Sequence, residues 1–183
     1  INTALYSGLE AMGEGSKIVL GIVLAGMMAV DMGGPFNKAA YVFGTSTLAT
    51  MAAGQGSDIM AAVMIGGMVP PIAIALATTF FRNRFTEDER KSGVVNYIMG
   101  LCFITEGAIP FAASDPLRVL PACIVGSGVA GALSMAFGCA LPAPHGGIFV
   151  FPVMTNILGY VVALVVGSLV GMILLGLLKK KKA

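Results

Sequence analysis

Three stretches of this sequence run without a charge for long enough to cross a bilayer: Ile59 to Phe81, Val119 to Pro144 and Gly146 to Leu178. About 20 apolar residues cover the roughly 30 Å of hydrocarbon as a helix, so each run predicts at least one crossing. The last run is too long for one helix. Pro152 and Asn156 put irregular chain first and a helix over 157–178. The expected spans are therefore 59–81, 119–141 and 157–178. Two more are expected upstream: 18–36, which is interrupted by Asp31 and two glycines, and 42–56, which is rich in Gly, Ser and Thr. The composition agrees, with 57% hydrophobic and 11% charged residues against about 45–50% and 25% in a soluble domain. The predicted fold class is an all-α polytopic membrane protein.

Charge sets the orientation. Arg82, Arg84, Arg90 and Lys91 cluster in one loop and Lys179 to Lys182 close the sequence, so the positive-inside rule places both in the cytoplasm. An even number of crossings must then separate them. Two clean spans, 119–141 and 157–178, are available between them, which leaves 93–117 to enter and leave on the cytoplasmic side. We expect a re-entrant hairpin there with Glu106-Gly107-Ala108-Ile109-Pro110 at its tip, and a second re-entrant segment over 142–152 dipping from the opposite face. Such broken helices are tolerated at membrane depth only where protein or a water-filled cavity surrounds them.

Several polar residues have plain structural readings. Ser57-Asp58 suits a helix start, and Thr86-Glu-Asp-Glu89 has capping-box spacing. Gly126-Ser-Gly-Val-Ala-Gly131 spells G-x-G-x-x-G but lies inside an uncharged span without a preceding strand, so close helix packing explains it better, as for Gly167 and Gly171. Cys102, Cys123 and Cys139 are widely spaced within apolar runs beside one histidine in the whole chain, which does not make a zinc or cluster site. No cofactor is expected. No domain-wide charge suggests nucleic acid.

Asp31, Lys38, Glu106, Asp115 and His145 are costlier. Ionisable groups at bilayer depth cost about 2.5–3.5 kcal/mol each on insertion scales and commonly mark a substrate or proton route. Most sit in helix-breaking chemistry: Asp-Met-Gly-Gly-Pro-Phe-Asn-Lys at 31–38, Thr-Glu-Gly-Ala-Ile-Pro-Phe at 105–111 and Pro-Ala-Pro-His-Gly-Gly at 142–147. Alternatively, Asp31 and Lys38 pair with each other and Asp115 caps the helix that follows it. Broken helices expose unpaired amides and carbonyls near the midplane, which suits a polyhydroxylated solute. A carboxylate there can accept a sugar hydroxyl and act as its base.

These motifs carry a resemblance. Asp31 to Tyr41, Ile104-Thr-Glu-Gly-Ala-Ile-Pro-Phe111 and Pro142 to Gly147 resemble, in order, the membrane IIC domain of the fructose-specific phosphoenolpyruvate-dependent sugar phosphotransferase system (PTS). The resemblance runs from about Lys17 to Leu178 and covers the C-terminal half of that domain. The chain begins at Ile1 with no basic segment and cleavage site, which leads us to expect further sequence upstream.

What the resemblance implies is group translocation. A sugar, fructose or a relative, binds in the membrane domain and is phosphorylated on the cytoplasmic side, for fructose usually to the 1-phosphate. The phosphoryl group comes from a cysteine of a IIB domain, itself charged by IIA and, further upstream, by the phosphohistidine carrier protein. The chain would be the permease part of a protein-N(pi)-phosphohistidine–sugar phosphotransferase in a bacterial inner membrane. A homodimer is expected by analogy with the wider superfamily. Glu106 would bind the reacting hydroxyl and act as its base, Thr105 would contribute to sugar binding, and His145 would hydrogen-bond the sugar. Asp31, Asn37 and Lys38 would line or brace the site. No cysteine here sits in a IIB-like phosphate loop, so no phosphocysteine is assigned. The residues alone leave two other classes open, a proton-coupled secondary sugar transporter and a non-transporting membrane scaffold.

Overall fold

The computed structural model describes residues 16–52 and 54–180. Among the described residues the fold is carried by seven helices: α1 (Lys17–Val30), α2 (Pro35–Ala49), α3 (Asp58–Phe80), α4 (Glu87–Leu101), α5 (Ile109–Ser114), α6 (Pro116–Ala136) and α7 (Ile157–Leu178), with 3-10 turns at Arg82–Arg84, Thr105–Ala108 and Ile148–Val153. No strand is present among the described residues beyond two isolated bridges. Among the described residues three helices, α3, α6 and α7, are long and apolar enough to cross a membrane. The chain is an all-α polytopic membrane protein.

At the centre stands α3. It starts at Ser57, whose hydroxyl accepts from the Met60 amide at 3.1 Å, a cap of about 1 kcal/mol. Every residue from Met60 to Pro71 is buried, as expected for a helix that is apolar all round. Helix association in lipid depends on close packing, since lipid tails are as apolar as leucine, and small residues provide it. A methyl placed on Gly66 would sit 2.5 Å from Cα of Ala25 in α1, and one on Gly126 of α6 only 2.8 Å from the Gly167 carbonyl of α7. The G-x-G-x-x-G string is thus a packing surface, with Gly131 pressed on Gly21 of α1.

Contacts at the helix ends define the topology. At one end, Ser57 and Leu141 exchange backbone hydrogen bonds of 2.9 and 3.0 Å, Thr155 donates to the Ala140 carbonyl, and Asn156 Nδ2 donates to the Phe137 carbonyl at 2.7 Å. These join the start of α3 to the end of α6 and the start of α7. At the other end Lys179 Nζ meets Glu89 at 2.9 Å and stands 4.2 Å over the Phe85 ring, while Arg84 donates to the Lys179 carbonyl. Phe81, Phe85, Val119 and Leu175 cluster there. The helices α3, α6 and α7 therefore run alternately between the two ends. Lys181 and Lys182 of the basic tail lie outside the described residues.

Two helical hairpins fill in from opposite ends. From the α3 start, Lys17 reaches Asp58 at 3.3 Å, α1 passes Gly66, and α2 returns until Thr47 meets Ser57 at 2.6 Å. From the other end α4 passes back along α3, its Gly93 against Thr78 and Gly100 against Ile72. The Thr86 and Glu89 capping box starts it. The 105–108 turn and α5 then bring the chain to Asp115.

Boundaries differ from expectation where local chemistry intervenes. The 18–36 stretch is helical only to Val30, because the Asp31 carboxylate turns to accept from the amides of Phe36 at 2.7 Å and Asn37 at 2.9 Å and Pro35 opens a new helix. That helix ends at Ala49, so residues 50–52 and 54–56 of the 42–56 stretch are not helical. The helix expected over 119–141 runs from Pro116 to Ala136 and stops before Gly138, at φ +63°.

Candidate functional site

The 103–106 tip lies beside the middle of α3, and a proline pair is the local reason. Pro70 and Pro71 lack amide protons, so the carbonyls of Gly66 and Gly67 lose their helical donors four residues on. Ser127 Oγ donates to Gly66 and Thr105 Oγ1 to Gly67, each at 2.9 Å. Leaving such a carbonyl buried and unpaired would cost about 1–3 kcal/mol. Thr105 is 4% exposed, and its hydroxyl is committed to the helix.

Glu106, next in the turn, is exposed and its carboxylate has no hydrogen-bond or ion-pair partner among the described residues. It faces the other hairpin tip. Gly33 has φ +116°, and a methyl placed on it would lie 3.3 Å from Glu106 Oε1. Of the other residues singled out, Asp31 caps α2 as described, and Asn37 Nδ2 donates at 2.9 Å to the Met28 carbonyl in the last turn of α1. Both hold the tip together. Lys38 is exposed and does not pair with Asp31; its ammonium has no anionic partner among the described residues. Asp115 precedes α6 without capping it and pairs instead with Arg118 at 3.0 Å.

His145 lies in the third broken segment. Its ring centroid is 6.1 Å from that of Phe103, tilted by 60°, and its Nδ1 contacts the Gly146 carbonyl. Tyr41 of α2 donates its hydroxyl to the Pro144 carbonyl at 2.8 Å. Gly146 packs against Phe103 and Met64, and Phe103 packs against Gly67. The 103–106 and 142–147 segments thus meet around the Gly67 level of α3, and 31–34 reaches them where Gly33 lies beside Glu106.

Sequence reasoning passed over Ser127, Tyr41 and Phe103. The Pro70-Pro71 pair was a readable signal that two carbonyls needed outside donors, and Ser127 was one of few hydroxyls able to supply one. Phe103, at φ +61°, left no comparable trace. A cleft of about 310 Å³ lined by Ile72, Leu76, Leu101, Phe151 and Leu164 is apolar and contains none of the candidate residues. It does not mark the polar site.

Comparison with known proteins bears on these motifs. No protein-family profile matches the chain, and no solved structure does. Among curated proteins, it is 53% identical over 176 residues to the PTS system fructose-specific EIIABC component of Bacillus subtilis, covering 96% of this chain and 27% of that protein. It is 52% identical over 176 residues to the fructose permease IIC component of Bacillus amyloliquefaciens, covering 96% of this chain and 56% of that one. This chain is homologous to the fructose-specific PTS IIC component. The fructose-specific EIIB'BC component of Escherichia coli is 50% identical over 175 residues, 94% of this chain and 30% of that protein. The chain therefore spans about half the length of the standalone IIC relative and under a third of the two longer ones.

Proposed function

We propose that this chain forms part of the sugar-translocating membrane subunit of a phosphoenolpyruvate-dependent PTS, with fructose or a related sugar as substrate. The observation that carries the reading is the Glu106 carboxylate, without a partner among the described residues where it meets Gly33 of the other hairpin tip. Its turn is fixed at Gly67, about 14 Å of helix rise from Asp58 and about 20 Å from Phe80. A bare carboxylate at that depth serves a ligand better than it serves the fold.

In the proposed reaction, a sugar hydroxyl donates to Glu106 and His145 supplies a second polar contact. The hydroxyl oxygen attacks phosphorus on a IIB phosphocysteine, forming the O–P bond as the S–P bond breaks. Glu106 takes the hydroxyl proton and the cysteine leaves as thiolate. General-base assistance of this kind contributes about 10²–10⁴-fold. Asp31 and Asn37 brace the facing tip, and Lys38 adds an exposed positive charge nearby.

In this reading the 93–117 hairpin is re-entrant from the cytoplasmic side, with the 82–91 loop and the C-terminal lysines in the cytoplasm, and 142–152 dips from the other face. The Lys179–Glu89 contact supports this, since it ties those two basic segments to one end. The partners would be IIB, then IIA and the phosphohistidine carrier protein, in a bacterial inner membrane, with a homodimer as the assembly. Uptake into vesicles containing the full-length protein tests the proposal. Accumulation of sugar phosphate dependent on the phosphoryl donor is expected, and accumulation of free sugar driven by a proton gradient overturns it.

A further inference from the structure

The two hydroxyls that donate to the Gly66 and Gly67 carbonyls of α3 tie different elements to it. Ser127 joins α3 to α6, one long apolar helix to another. Thr105 instead joins α3 to a four-residue turn whose next residue is Glu106. The turn's other ties are packing and backbone contacts: Ala108 is fully buried, Gly107 lies against Asn96 and Met99 of α4, and the Ile104 amide donates to the Met99 carbonyl at 2.8 Å, so among the described residues Thr105 makes its one side-chain hydrogen bond to α3. Ile104 precedes it with an exposed side chain, Ile109 and Pro110 follow it exposed, and α5 behind it is only six residues long. The acceptor is available to it because Pro71 removes the amide that would otherwise occupy the Gly67 carbonyl. Gly67 itself has no side chain in the way: a methyl there would lie 3.0 Å from Thr105 Oγ1 and 2.5 Å from the Phe103 ring.

We propose that Thr105 is a positioning residue for Glu106 and not a sugar ligand: its hydroxyl, seated on the carbonyl that Pro71 opens in α3, fixes where the Glu106 carboxylate stands against Gly33. This inference rests on the functional reading above for its catalytic consequence, but not for its geometry. Displacement of a catalytic group by about 1 Å can cost 10²-fold in rate, so loss of the hydroxyl lowers turnover with a smaller effect on KM.

A merely structural Thr105 would matter because a buried carbonyl loses its donor. The two roles separate in a double variant. Thr105→Val orphans Gly67 and frees the turn. Adding Pro71→Ala restores an amide donor to the Gly67 carbonyl within the helix, but leaves the turn free, with Pro71→Ala alone as reference.

In the full-length protein, Thr105→Val is expected to lower both thermal stability and kcat for sugar phosphorylation, the latter about 10–100-fold. Thr105→Ser restores both. Thr105→Val with Pro71→Ala recovers stability but not kcat. Recovery of kcat together with stability in that double variant overturns the proposal, as does a KM increase that accounts for the whole loss. An activity-independent readout is the rate at which a hydrophobic carbodiimide modifies Glu106. It is expected to change in Thr105→Val and in the double variant, and to return with Thr105→Ser; an unchanged rate in both overturns the proposal. If wild-type protein phosphorylates no sugar while labelling follows this pattern, the functional reading fails and the positioning role stands.

Discussion

Ser127 donates its hydroxyl to the carbonyl of Gly66 at 2.9 Å, across from α6 to α3, at the level where Pro70 has removed the helical donor. Both groups are buried, so no water substitutes for the bond. Ser127→Ala is expected to destabilise the protein by about 1–3 kcal/mol, read as a lower unfolding midpoint in detergent. The double variant with Pro70→Ala should recover much of that loss. A Ser127→Ala protein as stable as wild type would contradict this account of the proline pair.

Glu106→Gln keeps the shape of the side chain and removes its charge. Because the carboxylate holds no structural partner among the described residues, the variant should insert and unfold as wild type does. Initial rates of sugar phosphorylation at saturating donor should fall by at least about 10²-fold. Wild-type rates would remove Glu106 from the reaction.

At the end of α7, Lys179 has 4% of its side chain exposed and depends on Glu89, itself 18% exposed. Breaking one side of a buried pair costs about 3–5 kcal/mol, because the remaining charge is left uncompensated. Glu89→Ala should therefore destabilise strongly, the more so as it also removes the capping box of α4. Lys179→Met should cost less, since Glu89 keeps the Thr86 amide at 2.8 Å and a methyl-ended chain still covers Phe85. Thermal unfolding of the two variants gives the order, and the reverse order would refute it.

The end contacts also predict sidedness. Cysteines introduced at Lys91 and at Gln55, both exposed, should react with an impermeant maleimide from opposite faces of oriented vesicles, and a cysteine at Lys180 should follow the one at Lys91. Cys102 is replaced by serine beforehand, as it is the one native cysteine that is not buried. Labelling of positions 55 and 91 from one face would exclude the proposed arrangement of α3.

Long uncharged runs determined the helical membrane class, because the hydrocarbon requires every backbone polar group to be bonded within its own segment. Three runs became the helices α3, α6 and α7, and the glycine strings became their seams. The three broken motifs were legible as well, since Gly, Pro and an ionisable residue together end a membrane helix. What only the tertiary structure decided was the use of each polar group. Asp31 turned out to be committed to two amides of α2, Asn37 to a carbonyl of α1 and Thr105 to α3, whereas Glu106 has no partner among the described residues. Each of those bonds joins elements that meet only on packing, such as Thr105 with Gly67. A single sequence records which residues can donate and accept, but not which partner lies within 3 Å. That is why the sequence could single out a carboxylate in a broken segment, and only the packed chain could show that it has no partner among the described residues.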